Sequence, residues 1–584
     1  MSGSETSNKY MFTFLLDHAS AESFYGMVDK GAAPHVKKYI LGEKDEETGL
    51  YENATICRNT ITGFPSTSAN THTSILTGSY GGKNDLLLGD YWDLTNRKPR
   101  VVHTGEIGLF SINKFNNQYV NRATKTLFEY IHNSASYHAL NRGAKYKEFT
   151  IKSLIFTYLP LLIKLMRKDE PGRVSPIARP EMWKDLFKKN MKKFLLRAKE
   201  GEMPELTFFV FLLTDENAHR YGFGSPEYEE AVQILDLYVK GLVEGIDYKG
   251  EYIPGLKELG YLDQVVWNIH TDHAGRRIYR DKYVTVNRML EVENGLTIIE
   301  GKGEEPAEKR FKKFWKKRRE KINAFSTVHS EIWCGWFGNI QKGLGSFQTF
   351  HGEDYFRSIE PRNPEIGLND SVDLIDYLIN QDYTQFALIP EEERLPEGFF
   401  DADPNKRIRE KIPRKYIIKI FHKKGTGIVT RSLIKGMINY KYEVINGKDP
   451  LNYEKSGLKY GEYYSHLKWL EATYQLTLPD VFHRLYGLFD SIFSPNLVLT
   501  SERAYHFISQ YDDMEQTLLK IQNHDGLYHV ESAVPLTFAG PGVKKGHEIP
   551  FARNIDVLPT LLELMDVDYN PEIMDGRSLE DVLE

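Results

Sequence analysis

Four short segments of this sequence carry side chains that could hold metal ions and attack an electrophile. Three of them contain a carboxylate close to an imidazole, and these ligands suit Zn²⁺, Mn²⁺ and related divalent ions. The fourth is rich in hydroxyl groups. Two ions held roughly 3.5–4 Å apart can stabilise both the attacking and the leaving oxygen of an in-line displacement at phosphorus. The segments are residues 16–18, 65–72, 215–219 and 271–273.

Three of these segments directly follow apolar runs that are typical of buried strands. The runs are residues 11–16, 206–213 and 265–269. Because the carboxyl ends of parallel strands lie at one edge of a sheet, we expect the carboxylates that follow them to lie close together. The sequence therefore predicts a shared metal site at that edge. The carboxylates are Asp17, Asp215 and Asp272.

Strand-like runs alternate with helix-like patterns in three parts of the chain. This alternation is typical of an α/β protein, and we predict a three-layer α/β/α core with a mostly parallel sheet. Two stretches of different character interrupt the core, and we interpret them as large insertions that form a cap. The predicted core parts are residues 1–100, 205–285 and 491–584, and the predicted insertions are residues 101–204 and 286–490.

The composition narrows the class of protein. With 584 residues, 41% hydrophobic content and a net charge of −6, the chain is typical of a folded globular protein without a strong nucleic-acid signal. Its only two cysteines, Cys57 and Cys334, exclude a disulfide scaffold and a cysteine-based zinc cluster, and they favour a reducing, cytoplasmic location. No signal peptide is predicted, and no apolar run reaches the roughly 18 residues that cross a bilayer.

Two of the segments contain an aspartate and a histidine that could share one ion. Asp215 and His219 lie four residues apart, so on a helical turn their side chains lie on the same face. The alternative is a solvated turn with an incidental histidine. Asp272 and His273 are adjacent and could both face one metal from a loop, or they could be a helix cap beside a surface histidine.

The hydroxyl-rich segment and the first carboxylate also have structural alternatives. A Ser or Thr at a helix N-terminus lies in positive potential that suits a phosphate, and metal coordination would make its oxygen a nucleophile. Ser66, Thr67 and Ser68 could instead be ordinary helix caps, and Asp17 could cap a helix that begins near residue 19. Each signal is weak alone, but their combination favours the metal site.

The order of these segments resembles that of the alkaline phosphatase superfamily, specifically its type I phosphodiesterase and nucleotide pyrophosphatase branch. Residues 64–78, FPSTSANTHTSILTG, are similar to the nucleophile motif of that branch. The family nucleophile lies nine residues before the Thr of a closing Thr-Gly pair, which is Thr77 here. The resemblance therefore implies Ser68 as the nucleophile, with Thr67 as the alternative. The two later carboxylate segments resemble the family's Asp-x-x-x-His and Asp-His-Gly patterns.

The resemblance also implies a set of metal ligands and two divalent ions as cofactors, with Zn²⁺ favoured and Mn²⁺ as the alternative. One ion would be held by Asp215, His219 and a late histidine. We favour His524 for this position by its spacing before the turn at residues 540–542, and His529, whose spacing occurs in mutase relatives, is the alternative. The ligands implied for the other ion are Asp17, Asp272, His273 and the oxygen of Ser68.

The function implied by the resemblance is hydrolysis of phosphate esters by a phosphodiesterase or nucleotide pyrophosphatase, through a covalent phospho-enzyme. The alternatives are a phosphomonoesterase or phosphonate hydrolase on the same scaffold, and a catalytically inactive binding protein. Two positions depart from the family pattern. Ala274 replaces the glycine of Asp-His-Gly, and Asp90 stands in the region of a phosphate-binding Asn. We expect Asp90 at the substrate, where a carboxylate must be protonated, bind a cation or point away from an anion.

The expected partner is a small phosphate ester, either a nucleotide or a lipid-like diester. Two segments bear on this choice. Residues 152–168 contain an apolar stretch with basic flanks, which we interpret as a buried lid helix, with a peripheral membrane contact as the alternative. Residues 302–321 contain ten Lys or Arg, a density typical of a solvated helix face or of an anion-attracting arm.

Overall fold

The fold is described from a computed structural model. Within the ranges that it describes, every helix is too short or too polar to span a lipid bilayer. The two segments with a proposed lid or anion-attracting role, residues 152–168 and 302–321, lie outside the described residues. The described residues are 9–93, 100–103, 119–138, 140–148, 179–301, 322–337, 352–361, 371–392, 416–491, 493–509, 512 and 514–584.

The first strand of the chain, Tyr10–Leu16, lies inside a nine-stranded sheet that we call the core sheet. It pairs in parallel with Leu206–Phe211 on one side and with Val265–Thr271 on the other, so the three carboxyl ends lie at one edge, as predicted. The strand order is His547–Glu548, Ala54–Ile61, Ala533–Ala539, Val265–Thr271, Tyr10–Leu16, Leu206–Phe211, Ser134–Ser136 and Tyr146–Lys147, with Ala552–Arg553 also paired to Ala54–Ile61.

Most neighbouring strands of the core sheet are parallel. Among the described strands, Ala533–Ala539 is the exception, because it runs antiparallel to both Val265–Thr271 and Ala54–Ile61. The remaining pairs are parallel. The predicted mostly parallel sheet is therefore confirmed.

Apolar side chains of the first strand alternate between the two faces of the core sheet, as the two-residue period of a strand requires. Phe12 packs into a hydrophobic core that includes residues of the helix Pro226–Glu244. Leu15 packs on the opposite face, in a core that includes residues of the helix Val557–Leu564. Helices thus cover both faces, which confirms the predicted three-layer α/β/α arrangement.

Two elements near strand ends differ from the sequence patterns. The strand predicted for residues 206–213 ends at Phe211, because a helix begins at Leu213. The helix expected near residue 19 begins at Ala21 and is capped by Ser20, so Asp17 is not its cap. The α-helices are Ala21–Asp29, Pro34–Val36, Ser68–Thr77, Gly81–Asn84, Leu127–Tyr130, Pro180–Lys199, Leu213–Tyr221, Pro226–Glu244, Val286–Asn294, Glu353–Arg357, Leu374–Ile379, His466–Thr473, Val481–Phe489, Met514–Thr517, His529–Ser532 and Val557–Leu564.

A second nine-stranded sheet is built from later residues and is mainly antiparallel. Its strand Leu497–Ser501 lies beyond residue 490, the predicted end of the second insertion, and the domain boundaries themselves stay a prediction. The strand order is Ile298–Glu300, Ala324–His329, Ile332–Phe337, Leu497–Ser501, Thr384–Glu392, Tyr416–His422, Gly425–Ile434, Met437–Gly447 and Tyr463–Ser465.

One buried arginine connects a helix in the later part of the chain to two loops of the core. Arg484 lies in the helix Val481–Phe489 and has no exposed surface. Its guanidinium donates to the carbonyl oxygens of Gly63 at 3.3 Å and Gly526 at 3.1 Å, and to Ser532 Oγ at 2.7 Å. Because buried carbonyl groups are destabilising without a donor, this side chain stabilises two loops at once.

We expect Arg484→Met to lower the free energy of unfolding by about 3 kcal/mol, because several buried acceptors lose their donor. The midpoint of urea denaturation measures this change. Lys468→Met is the control, since Lys468 is half-exposed and pairs with Glu471 on the same helix turn, where a surface ion pair contributes little. Equal midpoints for the two variants would contradict the role assigned to Arg484.

Candidate active site

Two groups of ligand-type side chains lie at the carboxyl edge of the core sheet. The first group is His18, Asp215, His219 and His524, and the second is Asp17, Asp272 and His273. Within each group, one ligand atom from every residue lies within 4.8 Å of the others. The two groups are adjacent because Asp17 and His18 are consecutive and belong to different groups.

The first group is arranged around one carboxylate oxygen. Asp215 lies on the helix Leu213–Tyr221, which begins directly after the core strand, and His219 follows one turn later on the same helix. Asp215 Oδ1 lies 3.0 Å from His219 Nε2, 2.9 Å from His18 Nδ1 and 3.9 Å from His524 Nε2. Three imidazoles from three parts of the chain thus face one carboxylate.

Outer hydrogen bonds orient two of these imidazoles. The Nδ1 atom of His219 lies 2.8 Å from the carbonyl oxygen of Gln522, and the Nδ1 atom of His524 lies 2.7 Å from Asp525 Oδ1. In both rings Nε2 is therefore the nitrogen that faces Asp215. A metal-binding histidine almost always uses its other nitrogen in this way.

The second group surrounds a serine hydroxyl. Ser68 Oγ lies 3.3 Å from Asp17 Oδ1, to which it donates, and 3.1 Å from His273 Nε2. The same His273 nitrogen lies 3.1 Å from Asp272 Oδ2 and 3.4 Å from Asp17 Oδ1. Ser68 is the first residue of the helix Ser68–Thr77, so its hydroxyl lies in the partial positive potential of a helix N-terminus.

Each charged side chain in the second group strongly shifts the pKa of its neighbours. Burial and the neighbouring Asp272 charge raise the pKa of Asp17 to about 7. Burial opposes protonation of His273, but the charges of Asp272 and Asp17 outweigh burial and raise the pKa of His273 to about 10. Burial likewise raises the pKa of Asp272, yet His273 and His72 hold it below its usual range. The raised pKa values of Asp17 and His273 favour the protonated forms of these groups, so bound protons offset part of the charge of the buried carboxylates.

The residues present fit divalent metal ions. Each group combines carboxylate oxygens with imidazole nitrogens that point inward, and this donor set suits Zn²⁺ and related ions. The cluster also gathers negative charge away from water, where an opposite charge must balance it. The first group would hold one ion, and the second group with Ser68 would hold the other.

The structure brings together all seven metal ligands implied by the sequence. They are Asp17, Ser68, Asp215, His219, Asp272, His273 and His524. The two alternatives do not join the ligand groups. His529 lies on the short helix His529–Ser532 and is in neither group. Thr67 precedes the helix Ser68–Thr77, whereas Ser68 Oγ faces both His273 and Asp17.

Asp90 is not a member of either ligand group. It is buried at the start of the strand Asp90–Asp93, and its backbone nitrogen lies 3.4 Å from His329 Nε2. His329 in turn contributes to the electrostatic surroundings of Asp525, the residue after His524. A role for Asp90 at the substrate stays a prediction.

Sequence reasoning did not assign two histidines that the structure places in the site. His18 joins the first group, and His72 Nε2 lies 3.1 Å from Asp272 Oδ2 while its Nδ1 lies 2.9 Å from His138 Nε2. Both lie inside segments that the motifs marked. The spacing of four between Ser68 and His72 was the available signal, because it puts both side chains on one helix face.

We expect the affinity for Zn²⁺ to rise with pH, because His273 and Asp17 must lose protons before they can bind a metal. Well above pH 7, Asp17 is ionised while His273 still carries its proton, so the affinity should rise about tenfold per pH unit. The rise should be steeper near and below pH 7, where Asp17 is protonated as well. Competition with a chromophoric chelator at several pH values measures this slope. An affinity independent of pH would contradict the assignment of His273 as a ligand.

We expect His524→Ala to lower the affinity for the first ion by more than the roughly 10- to 100-fold that loss of an outer partner brings, because one imidazole ligand is removed. Metal content after dialysis, measured by mass spectrometry, reports this loss. His529→Ala is the matched control, since His529 lies outside both groups. A loss of metal in His529→Ala and none in His524→Ala would reverse the assignment.

Comparison with known proteins supports the family resemblance. Residues 48–309 match a family described as type I phosphodiesterase / nucleotide pyrophosphatase, which confirms the resemblance implied by the motifs. The matched range contains Ser68 and four of the other proposed ligands, but not Asp17 or His524. A search of curated proteins finds no match to this chain.

Solved structures of one protein share the fold. Murine ectonucleotide pyrophosphatase / phosphodiesterase 5 is similar over 99% of this chain and 100% of that chain, with 11% sequence identity and a TM-score of 0.50. An inactive variant of the same protein, in complex with AMP, matches with the same values. At this identity the likeness concerns the fold alone.

Proposed function

We propose, from the match of residues 48–309 to the type I phosphodiesterase / nucleotide pyrophosphatase family, that this protein is a metal-dependent phosphodiesterase or nucleotide pyrophosphatase with Ser68 as its nucleophile. One observation carries the proposal: Ser68 Oγ lies 3.3 Å from Asp17 Oδ1 and 3.1 Å from His273 Nε2, at the start of a helix. A hydroxyl so placed is positioned for attack on a phosphate that approaches the edge of the core sheet.

In the first step, the Oγ–P bond forms as the bond between phosphorus and the leaving oxygen breaks. The hydroxyl of Ser68 donates to Asp17 Oδ1, so this hydrogen bond makes Asp17 the acceptor for the proton that Ser68 loses. The leaving oxygen departs as an alkoxide or phosphate and takes a proton from water or the site. The product of this step is a phosphoserine at position 68.

In the second step, a water oxygen attacks phosphorus and the Oγ–P bond breaks. The proton lost by that water balances the proton that returns to Ser68. The same residues serve both steps, since the attacking and leaving oxygens exchange places. His273 Nε2, which contacts both Ser68 Oγ and Asp17 Oδ1, holds Ser68 in position in both steps.

Two divalent ions, which we propose to be Zn²⁺ with Mn²⁺ as the alternative, would be held by the two ligand groups. When bound, they would supply positive charge that stabilises the serine oxygen, the phosphate and the leaving oxygen. Asp17, Asp272 and His273 with Ser68 would hold one ion. Asp215, His219 and His524 would hold the other.

We propose a nucleotide diester or pyrophosphate as the substrate, because the AMP complex of the murine relative supports nucleotide binding on this fold. Asp90 remains our proposed contact for the substrate in this chain. A lipid-like diester is the alternative substrate class. Residues 152–168, on which a membrane contact would depend, lie outside the described residues.

We expect faster hydrolysis of bis-p-nitrophenyl phosphate than of p-nitrophenyl phosphate, with loss of both activities after addition of a chelator. Ser68→Ala should lower the rate by on the order of 10³-fold or more, because the nucleophile is absent. Its metal content should stay near that of the wild type, since other ligands remain. Release of p-nitrophenol, followed by absorbance, measures the rates.

Thr67→Ala is the matched control, because Thr67 is the adjacent hydroxyl and should be dispensable for turnover. Loss of activity in Thr67→Ala with full activity in Ser68→Ala would move the nucleophile to Thr67. Faster cleavage of the monoester would favour a phosphomonoesterase. No turnover of either ester, with no metal bound, would leave a binding protein on this fold.

A further inference from the structure

His18 occupies an unusual place among the imidazoles of the site. Its side chain has no exposed surface, and its ring centroid lies 4.9 Å from that of His219 and 5.2 Å from that of His524. Its backbone φ is +64°, in the left-handed region that few residues other than glycine adopt. A histidine in this conformation and position requires an explanation from its surroundings.

The backbone of His18 is held from both sides. Its N–H donates to Asp272 Oδ1 at 3.1 Å, and its carbonyl oxygen accepts from the hydroxyl of Tyr228 at 3.1 Å. The first of these bonds ties His18 to a proposed ligand of the second ion. Its side chain, in contrast, points into the first group.

The side chain of His18 approaches the same carboxylate oxygen as a proposed ligand. His18 Nδ1 lies 2.9 Å from Asp215 Oδ1, and His219 Nε2 lies 3.0 Å from that oxygen. These atoms and one nitrogen of His524 all lie within 4.8 Å of one another. A central ion with bonds of roughly 2.0–2.1 Å needs its ligand atoms at separations of this order.

We propose that His18 is a fourth protein ligand of the ion held by Asp215, His219 and His524. The inference rests on the proposed metal binding, but not on the proposed reaction. The first site would then have three nitrogen ligands and one oxygen ligand. The second site, with Asp17, Asp272, Ser68 and His273, has one nitrogen among four ligands.

Packing against Gly275 holds the His18 ring in this position. A Cβ atom added at Gly275 would overlap His18 Nε2, so only glycine leaves room for the ring. His18 Nε2 has no hydrogen-bond partner among the described residues. The interactions of the ring are therefore concentrated on Nδ1, the nitrogen that faces Asp215.

A fourth protein ligand that is an imidazole affects the choice of metal. Imidazole favours Zn²⁺, while carboxylate and hydroxyl oxygens also suit Mn²⁺ and Mg²⁺. The first site should therefore select Zn²⁺ over Mn²⁺ more strongly than the second site does.

The test compares wild type with His18→Asn for metal content, after dialysis of the metal-free full chain against equimolar Zn²⁺ and Mn²⁺. Asn tolerates the left-handed backbone, and its amide can still donate to Asp215, but it lacks the imidazole ligand. We expect the affinity of one Zn²⁺ equivalent to fall by more than the roughly 10- to 100-fold that loss of an outer partner brings, and its preference over Mn²⁺ to fall with it. The second equivalent should be unchanged.

Co²⁺ substitution gives a second readout that does not depend on turnover. In wild type, the visible absorption of the Co²⁺ ion in the first site should be that of an ion with three imidazole ligands, and in His18→Asn its bands should shift because a water oxygen replaces one nitrogen. Unchanged zinc affinity and an unchanged Co²⁺ spectrum in His18→Asn would overturn the proposal. A lower affinity with an unchanged preference between the ions would also overturn it, because that result indicates a positioning role through Asp215.

Gly275→Ala provides an independent test, since the added methyl group should displace the His18 ring without removing it. We expect the same loss of zinc preference as in His18→Asn. In a His18→Gly background the ring is absent, so Gly275→Ala should then have little additional effect on metal binding. Equal effects of Gly275→Ala in both backgrounds would show that it acts through another contact.

These measurements distinguish a failure of the His18 assignment from a failure of the proposed function. If wild type binds two metal ions but hydrolyses no ester, the function is wrong while the ligand assignment is still tested. If wild type binds no metal ion at all, both proposals fail. A wild type that binds two ions with equal preferences for Zn²⁺ and Mn²⁺ overturns only the assignment of His18.

Discussion

The crowding of carboxylates at one edge of the core sheet is the constraint on which the site depends. Asp17 and Asp272 are buried, and Asp215 is partly exposed, at the ends of three adjacent strands or just beyond them. Buried negative charges require compensation. This crowding raises the pKa of Asp17 to about 7 and that of His273 to about 10, so bound protons offset part of the charge. Two divalent ions would compensate the same charges more fully.

The surrounding structure brings a distant loop to this edge. His524 comes from a loop whose neighbours are fixed from several directions. The N–H of Gly526 donates to Glu531 at 2.8 Å, and Arg276 forms ion pairs with Glu531 at 2.5 Å and with Glu331 at 2.8 Å. Glu331 precedes a strand of the second sheet, so the later part of the chain helps to position a ligand of the first site.

Much of the site could be predicted because local sequence carries its signals. An apolar run followed by an aspartate marks a strand end, and a spacing of four in Asp215 and His219 marks one helix face. His18 and His72 lie in segments that the motifs marked, but local sequence does not show which distant residues they face, so they were not assigned. Their roles depend on residues about 200 positions away, such as Asp215 and Asp272.

The sequence by itself determined the fold class, the strands that carry the carboxylates and the family resemblance, because all three depend on short-range patterns of apolar and polar residues. Only the tertiary structure decided which late histidine joins the site, since His524 and His529 are five residues apart and either spacing is acceptable along the chain. It also decided that Ser68 Oγ faces Asp17 and His273. Such choices depend on distances between separate segments, which packing sets and local sequence does not encode.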